Sequence, residues 1–336
     1  MAEHRGDQEA DLSFLAPTAE LADWRLVLAY ESAAEAGALA ALPGTADELA
    51  TAAGLDVRGL RPVLGVLAAW EMLVVDPDGV YAPGRQLPDA LADTALRRHG
   101  AAIRRWAGML GPRLHDRSAM PTRIELPVMR PSTGPDLLAL NARRVAPQIV
   151  DLCQRVHPRI KRALDLGGGH GEHALELARR GVHSVVQDLP HVVARAQEQG
   201  RLEPAGVEVF AGDLRTDLPV GPFDLVLCST VTNMFDGGEV AALLVRVRSV
   251  LAPGGLVAVA SFMRGRDEVA AVFGLQMLAW TDGGDAHGVQ DYGRWFADAG
   301  MRVVAVEDLD RPRLTVVLAT AADLGPDEET RAQSLT

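Results

Sequence analysis

The sequence predicts an α/β protein, in which a doubly wound sheet with an antiparallel last strand follows a smaller, mostly helical domain. Three observations support this. From residue 162 onward, short apolar runs alternate with helical patterns, which is typical of a parallel sheet. The first alternation encloses a glycine-rich turn. Before it, residues 44–83 show two short helices followed by a hairpin pattern. With 336 residues we expect domains at 13–100 and 146–322, joined by a helical connector at 101–145.

The glycine turn indicates a nucleotide-like ligand. Glycines let a ligand lie against the main chain, and the helix that follows adds amide donors and a positive dipole end. A dinucleotide fingerprint is excluded because Glu172 stands where its third glycine belongs. The spacing Asp-x-Gly-x-Gly-x-Gly does fit, with Asp165, Gly167, Gly169 and Gly171.

Two further acids end the next two apolar runs. Asp188 closes VVQD, where a carboxylate can accept both hydroxyls of a ribose, and Asp213 closes VFAGD. Because parallel strands end at one edge of a sheet, the three acids are expected to share one crevice. The segments ALDLGGGHG, VVQDLP, VFAGDL and LAPGG resemble, in order and spacing, the Rossmann-like class I S-adenosylmethionine-dependent methyltransferases.

The resemblance implies S-adenosyl-L-methionine as the cofactor and assigns its contacts. Gly167 and Gly169 would face the amino-acid part and Asp188 would hold the ribose. The remaining expected contacts are Leu189 on the adenine, Asp213 on the exocyclic amine, Leu214 beside the ring, and Cys228 near the sulfonium.

The first domain has a winged helix-turn-helix pattern. Thr45 caps one helix, Val57 to Ala69 form the second, and a hairpin ends near Tyr81. DNA reading is disfavoured because the second helix offers only Arg58 and Arg61. The same architecture precedes the catalytic domain in the plant-type and bacterial aromatic polyketide O-methyltransferases, which the chain resembles from Thr18 to Thr320. That resemblance implies a homodimer formed through this domain.

The resembling plant-type enzymes use a histidine at the end of the fourth strand as general base. Here Thr232 occupies its place, although Asn233 aligns with the family pattern. A threonine hydroxyl is no base near neutral pH, so the family's base is missing. Bacterial relatives also do without it, and an asparagine such as Asn233 positions their substrate. Asp285 and His287 are the remaining catalytic candidates, with His287 either a proton acceptor or an ordinary loop histidine.

The substrate pocket is expected to be apolar. Met234, Met277 and Trp280 would line it, as a flat hydrophobic substrate requires. Asn141 and Met129 on the connector are further candidates, with connector packing as the alternative. No metal is expected, because Thr232-Asn233 cannot supply the His-Asp ligands found in one branch of C-methyltransferases.

Composition limits partners and location. The net charge of −12 argues against a nucleic-acid partner. No apolar run of about 18 residues is present, so no membrane association is expected. The polar N-terminus and the two cysteines, Cys153 and Cys228, predict a cytoplasmic protein with reduced thiols.

Together these patterns predict a bacterial enzyme of secondary-metabolite or antibiotic biosynthesis. It would methylate a small, largely apolar natural-product intermediate at a phenolic or enolic oxygen by alignment-driven displacement, without a histidine base. The alternatives are transfer to carbon, nitrogen or sulfur, a cofactor-retaining enzyme that does not methylate, and a winged-helix regulator.

Overall fold

The computed structural model describes residues 24–117, 137–309 and 313–321, and the chain divides into two compact units between Leu137 and Leu138. The first unit holds four helices and a three-stranded sheet of order β1-β3-β2 among its described residues. Their bounds are α1 Trp24–Glu35, β1 Gly44–Thr45, α2 Ala46–Ala53, α3 Val57–Ala69, β2 Leu73–Val75, β3 Val80–Pro83 and α4 Ala90–His115.

Local sequence signals determine the ends of α2 and α3. Thr45 and Glu48 form a reciprocal capping box, and Gly54 ends α2 in the left-handed conformation. Asp56 caps α3 by accepting a hydrogen bond from the backbone of Arg58. The two helices bury an apolar stripe between them, and the hairpin of β2 and β3 closes the unit as predicted.

The second unit is a seven-stranded sheet covered by helices. Its elements are α5 Leu137–Val156, β4 Arg162–Leu166, α6 Glu172–Arg179, β5 His183–Asp188, α7 Pro190–Glu198, β6 Glu208–Ala211, β7 Phe223–Ser229, α8 Gly237–Val250, β8 Leu251–Ser261, α9 Glu268–Trp280, α10 Val289–Asp298, β9 Met301–Asp308 and β10 Thr315–Ala321. The strand order is β6-β5-β4-β7-β8-β10-β9. The predicted fold class is confirmed: a doubly wound α/β sheet follows a mostly helical region in the sequence.

The direction of the strands places the site. The strands from β6 to β8 run parallel, and β10 is antiparallel to both β8 and β9, as the sequence predicted. From β4 the chain builds outward through β5 and β6 and later returns to pair β7 on the other side of β4. The carboxyl ends of β4 and β7 are therefore the switch point, where open α/β sheets bind their ligands.

β8 begins before the Pro-Gly-Gly segment, because Leu251 already pairs with Phe223. The predicted substrate residue Met129 lies outside the described residues, as do residues 310–312 between β9 and β10. Within the described part of the chain, no helix combines the length and apolar character needed to cross a membrane.

Candidate active site

The glycine turn after β4 is bonded to the end of β5. Gly167 (φ +67°) donates its amide to the carbonyl of Gln187 at 2.9 Å, and Gly169 (φ +57°) donates to the carboxylate of Asp188 at 2.8 Å. A Cβ on Gly167 would lie 2.4 Å from Cγ2 of Val231, whereas a Cβ on Gly169 would meet no atom within 4 Å. The first glycine is therefore required by packing, and the second borders open space.

Asp165 lies beneath this turn and is almost fully buried. One carboxylate oxygen accepts the amide of Ala174 at 3.2 Å, and the other has no hydrogen-bond partner among the described residues. Burial, with a smaller contribution from the charge of Asp188, raises the pKa of Asp165 to about 7. A Cβ on Gly168 would lie 2.6 Å from the Asp165 carboxyl group, so the middle glycine makes room for this acid.

Asp188 and Leu189 lie at the end of β5, beside the turn. The half-buried carboxylate of Asp188 accepts the amides of Gly169 and Leu189, the second at 2.7 Å. These two bonds hold the carboxylate at the rim of the turn. Leu189 is 40% exposed and presents an apolar surface next to it. A carboxylate and an apolar side chain at this edge fit the ribose and the base of a nucleoside.

Asp213, the third predicted acid, is already paired. Its carboxylate binds the guanidinium of Arg215 at 2.7 Å and also accepts that residue's backbone amide. Both contacts hold the pKa of Asp213 below its usual range. Leu214 beside it is buried in the core of the second unit. Leu214 therefore packs inward, and Asp213 is a charged rim residue with a cation attached.

Cys228 lies in the same core. The side chain is fully buried, and burial raises the pKa of its thiol to about 12, so it is neutral near neutral pH. The partly exposed residue at the end of β7 is Ser229, one position later. The structure thus places Cys228 among apolar side chains below the edge of the sheet.

The segment 231–235 follows β7 and contains a short 3-10 helix, Thr232–Met234, which bears two of the catalytic candidates. Thr232 is fully buried, and its hydroxyl lies 2.7 Å from the hydroxyl of Tyr292. Burial raises the pKa of Tyr292, so both hydroxyls stay neutral. Asn233 is 3% exposed and donates its amide nitrogen to the sulfur of Met277 at 3.2 Å. Its side-chain oxygen has no partner within the described part of the chain.

His287 and Asp285 both form hydrogen bonds to backbone carbonyls of the segment 231–235. Nε2 of His287 lies 2.9 Å from the carbonyl of Phe235, which can only accept, so Nε2 carries the proton. The imidazole packs edge-on against Trp295, with ring centroids 5.0 Å apart. The amide of Asp285 donates to the carbonyl of Asn233 at 3.1 Å, and its carboxylate pairs with Arg264 at 2.7 Å. The predicted catalytic residues are thus brought together: the hydroxyl of Thr232 and the carboxylate of Asp285 are paired within the protein, whereas His287 is bonded through Nε2 alone.

The expected substrate residues are placed as follows. Met277 on α9 is buried against Asn233, Trp280 at the end of α9 is half-buried, and Met234 is exposed. Asn141 on α5 is buried, and its amide nitrogen has no partner in the ranges that the structure describes. Met277 is therefore the candidate in direct contact with Asn233.

Two buried polar residues, Tyr292 beside Thr232 and Gln276 on α9, were not among the predicted site residues. Tyr292 gave no local signal, because its partner Thr232 is 60 positions away. Gln276 could have been found, since helical spacing places it on the apolar face of α9 with Phe273 and Met277. Over the described residues, no group of three His, Cys, Asp or Glu side chains could hold a metal.

The chain is similar in sequence to known methyltransferases. The O-methyltransferase domain model matches residues 145–302. The 3-hydroxy-5-methyl-1-naphthoate 3-O-methyltransferase of Streptomyces sahachiroi is 32% identical over 173 residues, 48% of this chain and 48% of the relative. The tetracenomycin polyketide synthesis 8-O-methyl transferase TcmO of Streptomyces glaucescens is 31% identical over 157 residues, 44% of this chain and 46% of the relative. The chain thus spans about half the length of the curated relatives it matches.

Solved structures extend the likeness of fold to most of the chain. An O-methyltransferase from neocarzinostatin biosynthesis, in complex with S-adenosyl-L-homocysteine and 1,4-dihydroxy-2-naphthoic acid, superposes with a TM-score of 0.65 at 22% identity. The match covers 90% of this chain and 98% of that one. The mitomycin 7-O-methyltransferase gives 0.65 at 18% identity, covering 89% and 94%. Residues 145–302 of the chain are therefore similar to the O-methyltransferase domain family, and most of the chain shares the fold of solved O-methyltransferases.

Proposed function

We propose that the protein transfers the methyl group of S-adenosyl-L-methionine to a phenolic or enolic oxygen of a small, largely apolar natural-product intermediate. The observation that carries this proposal is the free side-chain oxygen of Asn233, buried in the segment that packs against the glycine turn. Three relatives support an aromatic substrate class, because their names give a naphthoate, a tetracenomycin polyketide and 3-amino-4-hydroxybenzoate as what they act on.

The residues at the sheet edge fit the cofactor. The open space at Gly169 would accept its amino-acid part, and the carboxylate of Asp188 would accept from the ribose hydroxyls. Leu189 would pack on the adenine, and Asp213 would accept from the exocyclic amine while it keeps Arg215. When bound, the cofactor supplies an electrophilic methyl group.

The chain itself contributes alignment and exclusion of water. Asn233 accepts the hydrogen bond of the acceptor hydroxyl through its free oxygen and so orients the attacking atom. Tyr292 holds Thr232, and His287 holds the carbonyl of Phe235, which keep Asn233 in place. An acceptor acidified by a neighbouring carbonyl releases its proton to solvent water, so no protein base has to take it up.

The test combines cofactor binding with mass spectrometry of the products. We expect micromolar binding of S-adenosyl-L-methionine by calorimetry, abolished in Asp188→Ala, because the ribose loses its acceptor. With a panel of hydroxylated naphthoates and benzoates, the product should gain one methyl group on oxygen. Asn233→Leu should reduce kcat by about 10²-fold while cofactor affinity stays unchanged.

The possible outcomes separate the alternatives. A methyl group on carbon, nitrogen or sulfur would replace the oxygen assignment. A product without an added methyl group would identify a non-methylating enzyme, and failure to bind the cofactor would refute the proposal.

We also propose that the first unit forms a homodimer. Trp24 (59% exposed) and Trp70 (51% exposed) leave large apolar side chains on its surface, and Val74 and Val75 are also exposed. Light scattering should give twice the monomer mass for the wild type. Trp70→Glu should shift this mass toward that of the monomer, and a monomeric wild type would contradict the proposal.

A further inference from the structure

Gln276 is a polar side chain in an apolar position. It lies on the buried face of α9 and is only 4% exposed. Its side-chain oxygen is buried without a hydrogen-bond partner among the residues that the structure describes. A buried polar atom without a partner costs free energy, so native proteins keep one where something else completes it.

The position of Gln276 connects it to the proposed site. The next residue, Met277, contacts the amide of Asn233 through its sulfur. Asn233 follows Val231 by two positions, and Val231 packs on Gly167 of the cofactor turn. A chain of contacts therefore runs from the glycine turn through Asn233 to the turn of α9 that carries Gln276.

Asn233 and Gln276 each have a buried side-chain oxygen without a hydrogen-bond partner among the described residues, and an amide oxygen accepts hydrogen bonds. For Asn233 the assignment is fixed, because its nitrogen faces a sulfur that can only accept. One turn earlier on α9, Phe273 packs on Phe262 with ring centroids 4.8 Å apart. A ligand that completes both amides therefore supplies two donors.

We propose that Gln276 is a specificity-determining residue that accepts a hydrogen bond from a second hydroxyl or amine of the aromatic acceptor, while Asn233 accepts from the hydroxyl to be methylated. This inference rests on the proposed function, and it narrows the substrate class to aromatic acceptors with at least two donor groups. A substrate with a second hydrogen-bond donor would bind more tightly than one without it, because only that donor can pair with the buried oxygen of Gln276.

Binding of matched acceptors tests this without requiring turnover. Calorimetry would use the full chain saturated with S-adenosyl-L-homocysteine. The first pair is 3-amino-4-hydroxybenzoate and 4-hydroxybenzoate, and the second is 1,4-dihydroxy-2-naphthoic acid and 1-hydroxy-2-naphthoic acid. In each pair one member lacks the second donor. We expect the wild type to prefer the two-donor member of at least one pair by about tenfold or more.

Three variants identify the source of the preference. Gln276→Met keeps the length of the side chain and removes its acceptor, so the preference should fall to about twofold or less. Gln276→Glu retains acceptor oxygens and should keep a larger preference than Gln276→Met. Gln290→Met on the exposed face of α10 is the control and should match the wild type. Affinity for S-adenosyl-L-homocysteine should be equal in all four proteins.

The outcomes separate this inference from the proposed function. A wild type without any preference, or a Gln276→Met variant that keeps it, overturns the inference, even if methyl transfer is observed. The second result would be expected if only a trapped water completed the amide. A preference that disappears in Gln276→Met supports the inference, and product analysis then decides separately whether a methyl group is transferred.

Discussion

Replacing Gly167 by alanine tests the packing between the cofactor turn and the segment that bears Asn233. Gly167 has φ +67°, where an alanine costs about 1–2 kcal/mol. The new Cβ would also lie 2.4 Å from Cγ2 and 2.9 Å from Cβ of Val231. Relieving such overpacking costs about 1–3 kcal/mol more. We therefore expect Gly167→Ala to reduce the free energy of unfolding by about 2–5 kcal/mol.

Two other glycines separate backbone strain from packing. Gly181 (φ +79°) and Gly169 (φ +57°) also adopt left-handed conformations, but neither would have an atom within 4 Å of an added Cβ. In each alanine variant, the free energy of unfolding should fall only by the backbone strain of about 1–2 kcal/mol. Gly169→Ala should also weaken cofactor binding at least about tenfold, because its Cβ enters the space proposed for the ligand. Gly181→Ala should leave that affinity unchanged.

Urea denaturation followed by circular dichroism gives the stabilities, and calorimetry gives the cofactor affinities. Removing the opposing side chain provides a double-mutant cycle. Val231→Ala combined with Gly167→Ala should recover part of the packing cost of about 1–3 kcal/mol relative to the sum of the single changes, because the alanine at 231 keeps the Cβ that lies 2.9 Å from the new one. If Gly167→Ala is no more destabilising than Gly181→Ala, the reasoning is refuted. The glycine turn would then not depend on Val231.

Two further predictions concern buried polar groups. Tyr292→Phe keeps the ring but leaves the hydroxyl of Thr232 without its partner, so we expect a loss of about 1–3 kcal/mol in urea and a lower kcat at unchanged cofactor affinity; an unchanged kcat would contradict the positioning role. Burial raises the pKa of Asp165 from 3.8 to about 7, so its contribution to stability is present below pH 4 and lost as the pH rises to 7. Between pH 4 and 7, the free energy of unfolding of Asp165→Asn should therefore rise by up to about 4 kcal/mol relative to that of the wild type. A difference between the two proteins that does not change with pH would contradict this. Burial also lowers the pKa of His173 to about 4, so its contribution to stability increases as the pH rises over this range. That contribution is the same in the wild type and in Asp165→Asn, and it cancels in their difference.

Residues close in sequence explain why most of the fold could be predicted. The capping box at Thr45, the left-handed glycines and the acids at strand ends each depend on a few neighbouring positions. Alternating apolar patterns therefore predicted nearly every strand and helix of the second unit. The pairing of Asp213 with Arg215, two positions away, was also within reach of local reasoning.

The arrangement around Asn233 depends on distant residues. Tyr292 meets Thr232 across 60 positions, and His287 meets the carbonyl of Phe235 across 52. Periodicity identifies buried positions but not which two of them touch, so no pattern could assign His287 to a backbone carbonyl. Its predicted alternatives were a base and a loop histidine. The structure shows a buried ring that donates to the segment bearing Asn233.

This arrangement bears on how an acceptor oxygen would become a nucleophile. A general base needs a free lone pair directed at the substrate. The hydroxyl of Thr232 is paired with Tyr292, and the carboxylate of Asp285 is paired with Arg264. His287 donates through Nε2 to the carbonyl of Phe235, so its Nδ1 is the one lone pair left among these three side chains. Asn233 can accept a hydrogen bond but has no basic group. On the proposed mechanism, the protein orients an acceptor whose own acidity releases the proton to solvent, and Thr232, Asp285 and His287 hold the segment that bears Asn233 in place.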